Sequence, residues 1–149
     1  MELGHKLMIQ PITKEPHEFL NSLYLNYVEF YSEKIKVLEA KRDEKVNALF
    51  SVMIQLFFNE YHGKLKSIKW EIQYSENEWG EYHPYGICLD EEAWVTVNNV
   101  DGSLGNWDKD MIAVAKKYLV NFIKNVYWEI NRKESRYLTI FPDGSWELE

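Results

Sequence analysis

Ile68-Lys69-Trp70-Glu71-Ile72-Gln73-Tyr74 is the stretch that decides the fold class. Apolar residues occupy every second position, and Lys69, Glu71 and Gln73 fill the places between. A strand shows successive side chains on opposite faces, so this pattern predicts a strand with one buried and one wet face. Strands of that kind belong to antiparallel sheets, because parallel sheets are covered on both sides. The flanking sequence changes period on either side of it.

Upstream, residues 16 to 62 read as helix. Pro16 suits the first turn, where its missing N–H costs little. Leu20, Leu23, Tyr24, Tyr27, Tyr31, Ile35 and Leu38 recur at three- and four-residue steps. Val46, Leu49, Phe50, Met53, Ile54, Phe57 and Tyr61 do the same. Both stripes predict a buried helical face. The charged stretch Glu39 to Lys45 lies between them and fits an exposed turn of one helix or a break between two. Gly63 reads as a C-terminal stop.

Downstream, Asn77, Gly80, Pro84 and Gly86 mark a turn-rich segment. Gly86 to Leu89 and Ala93 to Val100 read as two further strands, with Trp94 in the core. Asp101 to Asn106 reads as a loop. Asp108 reads as the N-cap of a helix running to about Arg132, with Ile112, Ala115, Leu119, Phe122, Val126 and Ile130 as its core stripe. Tyr137 to Phe141 and Ser145 to Leu148 read as a hairpin turned by Pro142-Asp143-Gly144. The expected architecture is α+β. An antiparallel sheet of about five strands carries N-terminal helices and one later helix on one face and ends in a C-terminal β-hairpin. One domain over residues 1–149 is the simplest organisation, since the chain has ordinary domain length and no linker or repeat.

Hydrophobic residues make up 46% of the chain, enough for a core without a metal or disulfide staple. The single cysteine, Cys88, excludes an internal disulfide and points to a reducing, cytoplasmic setting. Cys88 itself reads as a small buried hydrophobe. Leu7–Ile9 is too short for a signal-peptide core, and no run approaches a membrane span.

Chemical motifs are missing. His5, His17, His62 and His83 are not paired at metal-ligand spacing, and no nucleophile elbow, phosphate loop or dinucleotide fingerprint occurs. Asp101-Gly-Ser-Leu-Gly-Asn-Trp-Asp108 fails the calcium-loop test, with Asn106 at the glycine position and Ile112 at the bidentate glutamate position. The expectation is no metal, no cofactor and no catalytic residue.

Charge is unevenly placed. Residues 1–74 hold ten basic and ten acidic side chains, and residues 111–149 hold six and five. Residues 75–110 hold nine acids and only Lys109. Glu76, Glu78, Glu81, Asp90, Glu91 and Glu92 carry the density, interleaved with Trp79, Tyr82 and Tyr85. Such a segment repels phosphates and anionic lipid. It suits a basic protein: acids steer a cationic partner, and Trp and Tyr anchor the contact. Glu76, Glu78, Trp79, Glu81, Tyr82, Tyr85, Asp90, Glu91 and Glu92 are therefore the candidate partner-binding residues. The competing reading is that the acids keep a small domain in solution while the aromatics fill the core.

Three pieces of the chain resemble the YezG-like bacterial immunity proteins. They are a helix leading into Ile68–Tyr74, the acidic aromatic middle, and a late helix followed by Tyr137-Leu-Thr-Ile-Phe-Pro-Asp-Gly-Ser-Trp-Glu-Leu148. The resemblance implies a non-catalytic protein that neutralises a cognate toxin, and an acidic surface fits a nuclease toxin in particular. A phage-encoded inhibitor of a host defence nuclease would use the same surface. A small enzyme with a site assembled from distant residues, such as Cys88 with His83, is a further alternative. Oligomeric state is left open.

Overall fold

The computed structural model describes residues 15–149, so the expectation for Leu7–Ile9 and the placement of His5 lie outside the described residues. The chain divides by its contacts into two units, Met1–Val46 and Asn47–Glu149, and each is taken by itself.

Helix α1 spans Pro16–Asn59 without a break, so Glu39–Lys45 is helical. A local i,i+3 ion pair supports it, with Lys36 Nζ 3.6 Å from Glu33, while Arg42 lies 3.1 Å from its neighbour Asp43. Pairs this exposed are each worth a few tenths of a kcal/mol at most. In the first unit the expected buried stripe is not buried. Leu20, Tyr24, Tyr31, Ile35 and Leu38 are exposed, and every side chain from 31 to 45 faces solvent. Leu23 and Tyr27 are half-buried. Three- and four-residue spacing identifies a helix and its apolar face, but it carries no information about what covers that face.

In the second unit the helical stripe does form core. Phe50, Ile54, Phe57 and Phe58 are buried, while Leu49, expected with them, is exposed. The helix closes where His62 and Gly63 adopt left-handed backbone, at φ 52° and 74°.

Strand β1 is Leu65–Glu71. It lies at the centre of a five-stranded antiparallel sheet ordered β5-β4-β1-β6-β7, where β4 is Val95–Asn99, β5 Leu104–Gly105, β6 Tyr137–Ile140 and β7 Trp146–Leu148. Ile68 stands opposite Val97 on one side and Ile140 on the other, and Trp70 stands opposite Val95 and Leu138. Paired residues share a face, so these make the apolar side. Lys69, Glu71, Thr96 and Tyr137 take the other. The alternation that predicted this strand is therefore real, but the strand stops at Glu71. At Ile72 the N–H donates to Arg136 O (2.8 Å), and Gln73–Glu76 becomes β2 of a separate two-stranded sheet with β3, Tyr82–Gly86.

Three other boundaries differ from expectation. Gly86–Leu89 is not a strand: β3 ends at Gly86, and Cys88 O accepts the Glu91 N–H across a turn. A single 3-10 turn, Glu92–Trp94, precedes β4. The expected loop Asp101–Asn106 contains the short β5, whose Gly105 pairs with Val97.

Asp108 does cap the next helix, its carboxylate accepting the Met111 N–H at 2.9 Å. That helix is two: α2, Lys109–Tyr118, and α3, Val120–Lys133, meeting at Leu119 with φ −106° and ψ −5°. The stripe Ala115, Leu119, Phe122, Val126 and Ile130 is buried as expected, with Met111 rather than Ile112 at its start. The C-terminal hairpin forms as read. Gly144 sits at φ 89° in its turn, and a Cβ there would come within 2.6 Å of Ser51 O, so α1 packs against this turn as closely as a bare backbone allows. Gln55 Nε2 donates to Asp143 O from the same helix (2.8 Å). Aromatic edges close the core: Trp107 meets Trp70 (5.6 Å) and Phe57 (6.2 Å), and Phe122 meets Phe50 and Trp146 (both 5.5 Å).

Candidate interaction site

The β2–β3 hairpin is built around one asparagine. The Asn77 side-chain oxygen accepts N–H groups from Trp79 (2.9 Å) and Glu81 (3.0 Å), and its backbone N–H donates to Glu81 O (2.8 Å). Asparagine does this well because its carbonyl mimics a backbone turn acceptor two residues ahead. The chain reverses with Gly80 at φ 78°. The base of the hairpin is tied down by two tyrosines. Tyr74 Oη donates to Ser135 O at 2.5 Å, and Tyr127 Oη of α3 donates to Pro84 O at 3.3 Å. Burial pushes the Tyr74 phenol up from its ordinary pKa, with Glu134 adding to the effect.

The candidate residues fall into two groups. At the hairpin tip Glu76, Glu78 and Glu81 are exposed, and between them Trp79 is 79% and Tyr82 is 68% exposed. These aromatics do not fill the core. Tyr85 lies on β3, but its side chain is outside what is described, as is that of His83. The second group, Asp90, Glu91 and Glu92, occupies the turn leading to the 3-10 segment. Asp90 is not free: Lys116 Nζ of α2 lies 2.5 Å from its carboxylate. The segment lacks basic residues in sequence, yet the fold supplies one from elsewhere. Glu91 and Glu92 are exposed. Leu89 between the groups is buried, and its carbonyl accepts the Trp107 indole N–H (2.9 Å), which anchors the turn to the core.

Two expectations fail here. Trp94 is 41% exposed rather than core, because the 3-10 turn places it ahead of the alternating part of β4. Cys88 is exposed rather than buried, since its segment is irregular chain and not a strand. Sequence reasoning also passed over Glu71 and Gln73, which line a cleft with Glu91 and Trp94. Their signal was present in the alternation, which put both on the wet positions. Trp128 on α3, next to the tyrosine that holds Pro84, is another exposed aromatic (71%) that falls outside the buried stripe of its helix.

Among the described residues no group of three or more His, Cys, Asp or Glu is gathered to hold a metal ion, and no helix is long and apolar enough to cross a membrane. No family model matches the chain, and neither a curated protein nor a solved structure matches it.

Proposed function

We propose that this chain is a non-catalytic binding protein of the cytoplasm that neutralises a basic partner protein, in the manner of an immunity protein acting on a nuclease toxin. One observation carries the reading: Trp79 and Tyr82 stand in solvent between exposed carboxylates on an anchored hairpin. Exposed Trp and Tyr are the residues that contribute most when a surface is covered. The surrounding acids select a cationic surface and disfavour nucleic acid. A nuclease binds phosphates through Lys and Arg, so a protein that occupies those residues excludes the substrate. The three sequence pieces that resemble YezG-like immunity proteins point the same way.

The test is capture of basic proteins from the source organism with the full chain as bait, followed by affinity measurement on the captured partner. Trp79→Ala is expected to weaken binding by about 2 kcal/mol or more while leaving the denaturation midpoint in place. Undiminished binding by Trp79→Ala would remove the hairpin from the interface.

A further inference from the structure

Behind the hairpin lies a cleft of about 640 Å³ at the point where β1 gives way to β2. Glu71 is the last wet-face residue of β1, and Gln73 opens β2. Glu91 and Trp94 come from the irregular stretch that follows β3 and from the 3-10 turn after it. The fold thus brings together residues from both sides of the acidic segment. The volume is that of a small-ligand site.

Charge, shape and hydrogen-bonding capacity agree on what fits. Glu71 and Glu91 are the lining carboxylates, both exposed, and no Lys or Arg is among the described lining residues. Neither acid has an ion-pair partner among the described residues. The nearest cation along β1 is engaged elsewhere: Lys69 Nζ lies 4.3 Å from the centre of the Tyr137 ring and 3.9 Å from Glu149. Trp94 adds a large, partly open indole to the same wall. Gln73 adds an amide whose oxygen accepts hydrogen bonds.

We infer that this cleft receives an arginine side chain of the basic partner, its guanidinium set on the Trp94 indole and held by Glu71 and Glu91. The inference rests on the basic-partner reading and assigns that partner's residue type. Arginine is favoured over lysine on three grounds. Its planar cation stacks on an indole, it is less strongly hydrated than an ammonium, and its five donors can serve two carboxylates and an amide oxygen together. The hairpin tip then acts as the outer contact, and the cleft supplies selectivity for one side chain.

The experiment is a titration of the full ¹⁵N-labelled chain with Nα-acetylarginine amide, followed at the Trp94 indole resonance, which Trp94→Phe identifies. Lysine and citrulline amides serve as controls, the latter keeping shape without charge. A saturable Trp94 shift is expected with arginine, weaker with lysine and absent with citrulline. Glu71→Gln and Glu91→Gln should each weaken the arginine response by roughly fivefold. Both glutamates are exposed, so the Gln variants keep the fold, and their amide spectra verify this. No saturable shift at Trp94, an equal response to citrulline, or an undiminished response in both Gln variants would overturn the assignment. The titration contains no partner protein, so its failure leaves the basic-partner reading standing. That reading is judged separately by the effect of Trp79→Ala on capture.

Discussion

Tyr61 shows how a single side chain sets a measurable property. Its hydroxyl is buried with no hydrogen-bond partner among the described residues. The phenol pKa is pushed up from 10.0 to about 12, first by burial and then by the carboxylates of Asp108, Glu60 and Asp110. The folded chain therefore holds this proton more tightly than the unfolded chain does. Stability from this group is complete below pH 10, declines as pH rises from 10.0 to about 12, and is level beyond that. Tyr61→Phe removes the group and the unsatisfied donor together. It is expected to leave stability at neutral pH unchanged or raise it by up to about 1 kcal/mol, and to lessen the alkaline decline. Denaturant titrations of both proteins across that pH range check both statements. Other residues were readable beforehand: Asp108 as a cap and Gly144 as a turn residue each follow from one local backbone requirement. Trp94 was not, because its exposure depends on a 3-10 turn that shifts it out of the strand.

At the level of elements, α1 presents the sharpest contrast. Its apolar residues repeat with helical spacing throughout, yet burial is confined to Phe50, Ile54, Phe57 and Phe58. Replacing an apolar residue should therefore weigh very differently at the two ends of one helix. Ile35→Lys and Leu38→Lys are expected to shift unfolding free energy by less than about 0.5 kcal/mol, whereas Phe57→Ala should cost about 3–5 kcal/mol. Chemical denaturation of the three variants tests this, and a large loss from Ile35→Lys would mean that the face is covered in solution. The elements that sequence identified well are those with long periodic signals, α1, β1 and the α2–α3 region, together with the terminal hairpin, which its Pro142-Asp143-Gly144 turn marks. The β2–β3 hairpin was hidden for a physical reason. Pro84 lies inside β3, a strand with a partner on one side only, where a missing N–H is tolerated. Its neighbours carry turn residues and no alternation. The turn residues were legible in the sequence, but without a period to detect the short strands on either side of them were not.

For the molecule as a whole, the acidic segment is set within an otherwise near-neutral chain. Long-range attraction to a cationic partner then originates mainly from that segment and is screened beyond roughly 10 Å at 0.1 M salt. Replacing Glu76 and Glu78 with Lys should slow association by about tenfold at low salt and flatten its salt dependence, with little change in dissociation. Stopped-flow association at several ionic strengths measures this once the partner is captured. Unchanged rates in a folded variant would show that steering does not come from the hairpin. The uneven charge was legible from composition alone. Its division into an exposed tip and a turn partly neutralised by Lys116 was not, because the cation comes from a distant helix.

The central position of β1 has a consequence during synthesis. Its two neighbours are β4 and β6, and the β6 side is fixed by pairs such as Ile68 with Ile140. A nascent chain in which β1 has already emerged must wait for β6, Tyr137–Ile140, before that side is sealed. Through that interval Ile68 and Trp70 sit beside an unpaired edge, the situation in which chaperones and strand-swapping neighbours compete for a chain. The delay between the emergence of β1 and that of β6 then sets how long this edge stands open.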